Sequence, residues 1–442
     1  MGQVGRKVKF VVSDLHLGAG HAYKGGNLLE DFRADEVFVD FLHHIWHESE
    51  RDNCEIELII NGDLFEFLQV PAVDNYDPTT PYPKEAYLDS SEAASIKRLN
   101  NIVEGHQRIF SAFSDFMHVE ASRSITLIKG NHDVNLFWPG VKNRLREILG
   151  ASGMRASLLR FANEFISREQ IYVEHGHQHA ERINSYTDSF DPCSPDDPDQ
   201  LFYPIGSQFV INFLNRVEPG WWFVDHIKPI PMLIWFALHW DFDFACQALV
   251  SLAKFAPEIA GHTSTTRDRY MASIFTLLDD ISNDEKRHTI AENYFCKPNF
   301  RLQMHRKIQY ILDSINGYVT PSVHIGEDPR EMGRAHQEQQ HTLLRQAANL
   351  ISYREKAKIV LFGHSHYPIQ QKLSSGSTYI NTGSWIEDFS DAPEETWAHL
   401  FGDLRQPSRP PAQLPYARIE YDEDDMPAAR LLFFNSDAPI NL

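Results

Sequence analysis

Five short runs rich in β-branched residues punctuate the 442-residue chain, and each stops at a glycine or polar residue. They are KVKFVV before Ser13-Asp14, ELII before Asn61-Gly62-Asp63, ITLI before Lys129-Gly130-Asn131, IYV before Glu174-His175, and IVLF before Gly363-His364. Runs of this length and composition predict buried strands. Between them apolar residues recur at helical spacing, as in Val37, Phe41, Leu42, Ile45 and Trp46. A longer helical run passes through Ile96, Leu99, Val103, His106, Phe110, Phe113 and Met117. Strands alternating with helices predict an α/β fold. Near the end, YARIEYD from Tyr416 and ARLLFFN from Ala429 flank the acidic turn DEDDMP and predict a hairpin. The Pro/Asp-rich stretches from Asp74 and Asp191, and LRQPSRPPAQLP from Leu404, predict loops.

What stands at the strand ends carries the chemistry. In open α/β sheets functional groups collect beyond the carboxyl ends of the strands, so five such endings can share one crevice. Asp14 and His16, two positions apart, project to the same side. Asp63, Asn131, His175, His364 and His366 end the other four strands. Two Asp, one Asn and four His, with no thiolate, suit Mn, Fe, Co or Zn, and two ions if one carboxylate bridges. Any one of these residues is more simply a cap or a solvated surface group; the joint pattern is what argues for ligation.

Composition narrows the partners. With 41 Lys+Arg against 61 Asp+Glu the net charge is −20, which disfavours broad binding to nucleic acid or anionic lipid. Cys54, Cys193, Cys246 and Cys296 stand far apart with no Cys-x-x-Cys pair, which fits a reducing compartment and predicts a cytoplasmic protein. The N-terminus has no signal-peptide pattern. The most lipophilic stretch, PIPMLIWFALHW from Pro229, is twelve residues, short of the roughly 20 needed to cross a bilayer.

In order along the chain, DLH, GDLFEF, GNHD, EHGH and GHSH resemble the five signature blocks of the calcineurin-like metallophosphoesterase superfamily. The resemblance covers roughly residues 7–180 and 355–440. It implies two mixed β-sheets packed as a sandwich and flanked by helices. The stretch 181–345 lacks the strand-then-ligand pattern and reads as a helical, aromatic-rich insertion or cap that divides a core at 1–180 and 346–442. The resemblance further implies that Asp14, His16, Asp63 and His366 hold one metal, with Asp63 bridging to a second held by Asn131, His175 and His364. Asp14 and His366, 352 positions apart, must then meet at one ion. Two divalent ions, Mn first and Fe, Zn or Co as alternatives, would deprotonate a bridging water for in-line attack on phosphorus. His132 matches the general acid, and Asp133 is expected to hold its ring. The bland reading of Asp133 is a local turn cap.

The DLHLG and GDLFEF blocks look more like the UDP-2,3-diacylglucosamine hydrolases, which cut a pyrophosphate, than like the Ser/Thr protein phosphatases. The hydrolases carry Arg where this chain has His132. The expected reaction is hydrolysis of a phosphodiester or pyrophosphate in a small-molecule or lipid-linked substrate. A nuclease of the same superfamily and a metal-stabilised interaction module are the alternatives. Lys142, Arg144, His177, His179 and Arg182 are candidates for contact with the substrate, His177 first because it lies two residues beyond a ligand. For each, a solvated face is the simpler reading. His106 reads as a hydrogen-bonded core residue, and Cys193 as exposed. The aromatic crowd of Trp221, Trp222, Trp235, Phe236 and Trp240 reads as a hydrophobic core or dimer contact, a substrate lid, or a peripheral membrane contact, in that order.

Overall fold

The five β-branched runs all form strands, and alternation of their side chains sets the layers. In the computed structural model, which describes residues 6–20, 26–27, 29–119, 122–180, 182–256, 269–314, 328–402, 414–434 and 440–441, there are twelve strands. They are β1 (Lys7–Val12), β2 (Glu55–Asn61), β3 (Arg123–Ile128), β4 (Leu159–Ala162), β5 (Phe165–Arg168), β6 (Ile171–Glu174), β7 (Ile359–Phe362), β8 (Ile369–Lys372), β9 (Thr378–Asn381), β10 (Leu414–Tyr421), β11 (Pro427–Phe434) and β12 (Ile440–Asn441).

One sheet has the order β12-β11-β10-β1-β2-β3-β4, with β1 to β4 parallel and the predicted hairpin β10–β11 added antiparallel to β1. The other has the order β5-β6-β7-β9-β8, parallel in the middle with antiparallel edges. Both are therefore mixed. Val11, Ile59 and Ile128 of the first sheet meet Ile171, Val173, Ile359, Leu361 and Ile380 of the second in one buried cluster. Neighbouring residues point the other way, as period-two alternation requires. Phe10, Leu58 and Ile60 pack against Phe38, Phe41 and Leu42 of helix Asp35–Asp52. On the far side, Val360, Phe362 and Tyr379 cover Leu344, Ala348 and Ile351 of helix Arg330–Arg354. Each buried Val, Leu, Ile or Phe among them contributes about 1.5–3 kcal/mol by leaving water. The expected sandwich of two mixed sheets with helices outside is thus present.

The long run from Ile96 to Met117 departs from expectation. It forms two helices, Glu92–Gly105 and Gln107–Phe116, with His106 between them at φ −121°. His106 is buried, its Nδ1 lying 2.7 Å from Asp35 Oδ1 and its Nε2 3.4 Å from Glu30 Oε1. Spacing of apolar residues continues through the break because both helices face the same core, so periodicity alone could not show it.

The chain divides into two compact units, Met1–Ile211 with Gln340–Glu387 and Gln406–Leu442, and Asn212–Gln339 with Asp388–Arg405. The first holds both sheets. The second contains the helices Ile230–Trp240, Phe242–Leu252, Arg269–Ser282, Asp284–Cys296, Pro298–Asp313 and Glu394–Gly402. Within it Phe236 stacks on Trp397 with ring centroids 3.6 Å apart and Trp221 on Phe244 at 4.4 Å. Trp222 is buried, whereas Trp240 is 36% exposed. Among the described residues no helix is long and apolar enough to cross a membrane.

Candidate metal centre

Beyond the ends of β1 and β2 the two chains stay paired. Asp14 N–H donates to Gly62 O at 3.2 Å, His16 N–H to Asp63 O at 2.9 Å and Leu17 N–H to Leu64 O at 2.8 Å. This pairing holds Asp14, His16 and Asp63 in register. The backbone there is unusual: φ is 53° at Asp14, 51° at His16, 51° at Asp63, 67° at His364 and 64° at His366. Such left-handed conformations cost a non-glycine residue on the order of 1 kcal/mol or more and gather at functional sites. Two glycines are dictated by closeness. A Cβ on Gly130 would sit on Asp63 Oδ1, and one on Gly363 would come within 2.6 Å of Asp14 Oδ2.

Asp14, His16 and His366 bring their ligating atoms within 4.8 Å of one another, and so do Asp63, His175 and His364. Asp63 belongs also to a third such group with His16 and His132. The predicted ligands Asp14, His16, Asp63, Asn131, His175, His364 and His366 are therefore gathered in the first unit, with Asp14, Asp63 and His175 at most 1% exposed.

The protonation pattern follows from the partners. His175 Nδ1 lies 2.9 Å from Asn61 O, a carbonyl that only accepts, so Nδ1 carries the hydrogen. Nε2 then presents its lone pair to Asn131 Oδ1 at 3.2 Å and Asp63 Oδ2 at 3.0 Å. His16 Nδ1 donates to Glu66 Oε2 at 2.8 Å, which turns its Nε2 toward His366 Nε2 at 3.3 Å and Asp63 Oδ2 at 3.9 Å. His366 Nε2 in turn lies 3.4 Å from Asp14 Oδ1. Acceptors facing acceptors need a positive charge between them. Donors about 2.1 Å from one ion stand about 3.0–3.4 Å apart in octahedral or tetrahedral shells, so the spacings fit divalent cations.

Electrostatics point the same way. Burial opposes a charge on His175, yet Asp63 and Asp14 draw a proton to it and lift it to about 10. Asp63 is held well below the ordinary carboxylate range, against burial, by His175 and His132. Asp14 is raised by burial. A bound cation would answer the same demand for positive charge and displace the proton.

The expected partner of His132 is corrected. Asp133 does not hold its ring: Oδ1 accepts from Gly130 N–H at 2.6 Å, and Oδ2 accepts from Leu64 N–H at 2.9 Å and Phe65 N–H at 3.5 Å. It staples two strand-end loops together, the turn-cap role, while burial and the Asp63 charge raise it to about 7. The carboxylate at the His132 ring is Glu66, whose Oε2 is 2.5 Å from Nδ1. Glu66 thus serves His16 and His132 at once, with the two rings 4.6 Å apart. The GDLFEF block contained it, three residues past Asp63, but sequence did not show which way the turn would bring it. His132 N–H also donates to Asp63 Oδ1 at 2.9 Å, and its side chain is 21% exposed.

His177 is only 2% exposed, its ring 5.5 Å from that of His175, 5.7 Å from that of Tyr186 and 6.2 Å from that of His364. Burial, His175 and His364 keep it well below its ordinary range. The remaining candidates have structural partners. Lys142 Nζ donates to Asn163 Oδ1 at 3.2 Å, Arg144 Nε to Asn100 Oδ1 at 2.9 Å, and His179 Nε2 lies 3.0 Å from Glu174 Oε2. The side chain of Arg182 lies outside the described residues. Cys193, expected to be exposed, is half-buried in its loop.

No protein-family model and no curated protein sequence matches the chain. Among solved structures it is similar to a dimetal phosphatase from Danio rerio, at 11% identity over 99% of this chain and 98% of that one. The TM-score is 0.30.

Proposed function

We propose that this protein is a dinuclear metal-dependent phosphoesterase that hydrolyses a phosphodiester or pyrophosphate bond. The observation that carries the reading is a pair of acceptor clusters, one of Asp14, His16 and His366 and one of Asp63, His175, His364 and Asn131, with Asp63 Oδ2 also 3.9 Å from His16 Nε2 of the first. Two divalent ions there would activate water and neutralise oxygen charge during displacement at phosphorus. The chain's own part is to place them and to handle the proton. His132, its side chain 21% exposed, would protonate the leaving oxygen, with Glu66 fixing the ring orientation. The order of the five blocks supports the bacterial metallophosphoesterase branch nearer the UDP-2,3-diacylglucosamine hydrolases. The net charge of −20 favours a small or lipid-linked substrate over nucleic acid. Cysteine spacing supports a reducing, cytoplasmic setting.

The test is direct. Protein loaded with Mn²⁺ should hydrolyse a bis-aryl phosphate, and His132→Ala should lower kcat by roughly 10²–10⁴-fold while metal content persists. Failure of fully metallated protein to cleave any phosphate ester or diphosphate would count decisively against the reading.

A further inference from the structure

His177 poses a satisfaction problem that the metal ligands do not solve. Neither Nδ1 nor Nε2 has a hydrogen-bond partner, although both atoms are sealed from solvent. A neutral imidazole has one N–H to give and one lone pair to fill. Leaving such groups buried and unmade costs about 1–3 kcal/mol apiece, so a native site keeps them for something that binds. The candidates are a metal ion, an ordered water or a substrate atom.

A metal ion is the poorest match. Among the described residues, none of the groups whose ligating atoms converge within 4.8 Å includes His177. Its ring nonetheless packs beside both His175 and His364, the histidines of the second cluster, and against the edge of Tyr186. Tyr186 is itself tied to that cluster, its hydroxyl donating to Asn131 O at 3.4 Å. The imidazole is therefore one layer out from the second cation position. An oxygen of a group bound at that position would supply the acceptor that its N–H lacks.

We propose that His177 is a phosphoryl-binding residue, donating its ring N–H to a non-bridging oxygen of the phosphoryl group held at the second metal position. The proposal rests on the metal-dependent phosphoesterase reading above. It makes a distinct prediction: His177 contributes to affinity for the phosphoryl group and not to retention of metal.

The experiment uses full-length protein loaded with Mn²⁺ and inorganic phosphate as the probe. Metal stoichiometry is measured by elemental analysis and phosphate affinity by calorimetry, for wild type, His177→Leu and His177→Gln. His177→Leu should keep the wild-type metal content and lose about tenfold or more in phosphate affinity, as expected for a hydrogen bond to a charged group. His177→Gln, which restores an N–H donor, should recover much of that loss. With a bis-aryl phosphate, the effect of His177→Leu should fall mainly on KM. Wild-type phosphate affinity in metal-loaded His177→Leu would overturn the proposal in favour of a structural water. Loss of one metal equivalent would overturn it in favour of a ligand. Should His177→Leu not fold, His177→Ala takes its place under the same criteria. If wild type hydrolyses no phosphate ester, the functional reading falls, while the phosphate affinities of the variants still decide the role of His177.

Discussion

Five of the seven expected ligands hold positive φ, and the reason lies in single residues. Asp, Asn and His tolerate the left-handed region better than β-branched residues because a short polar side chain can bond locally. Asp14 shows the pattern: its carboxylate accepts from His364 N–H at 3.0 Å, and its carbonyl accepts from Ser384 Oγ at 2.8 Å and Trp385 N–H at 3.2 Å. The conformation is over-determined from several directions. Glu66 is the other residue on which much depends. One carboxylate oxygen serves two imidazoles, and against the upward push of burial His132 and then His16 hold the Glu66 carboxyl below its ordinary range. Glu66→Gln keeps the shape but removes the charge. We expect it to weaken metal retention by roughly 10–100-fold, the usual effect of losing a carboxylate that orients a ligating imidazole, and to lower kcat as well. Elemental analysis after dialysis and steady-state kinetics check this; an unchanged metal content and kcat would remove Glu66 from the account.

At the scale of elements, the strands were the most legible part of the chain. KVKFVV, ELII, ITLI, IYV and IVLF each form a strand because a buried β-branched run between polar ends has no competing use. Strands β4, β5, β8 and β9 were not legible: each is four residues, and Phe165–Arg168 and Ile369–Lys372 lie at sheet edges with two and three of their four side chains polar. Helix Glu92–Gly105 is started by Ser91, whose side chain accepts from Ala94 N–H, and its end is set by His106. That histidine carries a testable pH dependence. Burial opposes its charge, but Glu30 and Asp35 outweigh burial and raise it to about 10. Because the folded value lies above the unfolded one near 6.5, the stabilisation is full below pH ~6.5 and is lost as pH rises toward 10. Denaturant unfolding at pH 6.5 and pH 9 should show wild type losing on the order of 3 kcal/mol relative to His106→Gln over that interval. Parallel pH profiles for the two proteins would mean that the Glu30–His106–Asp35 contact carries no net charge energy.

For the whole molecule, the site couples distant segments of chain. Residues from β1 to His366 converge on one acceptor-rich crevice, so cations bound there would also stabilise the fold that assembles it. Removing metal with a chelator should lower the Tm of the unit containing the sheets, and titrating Mn²⁺ should raise it with concentration. At 100 times Kd the gain is about 2.7 kcal/mol. Asp63→Asn, which removes the shared carboxylate, should blunt that response; a Tm indifferent to metal in wild type would separate the crevice from folding. The sequence by itself determined the strand-forming runs and the residue types at their ends. Both are local properties: composition sets a strand, and ligand chemistry is readable from side-chain type and order. Only the tertiary structure decided that Glu66 and not Asp133 reaches the His132 ring, that His106 splits a helix, and that His177 is sealed away with both nitrogens unmet. Those outcomes depend on which way a turn leaves a strand end and which backbone amides are nearest, and these are set by packing between segments hundreds of residues apart.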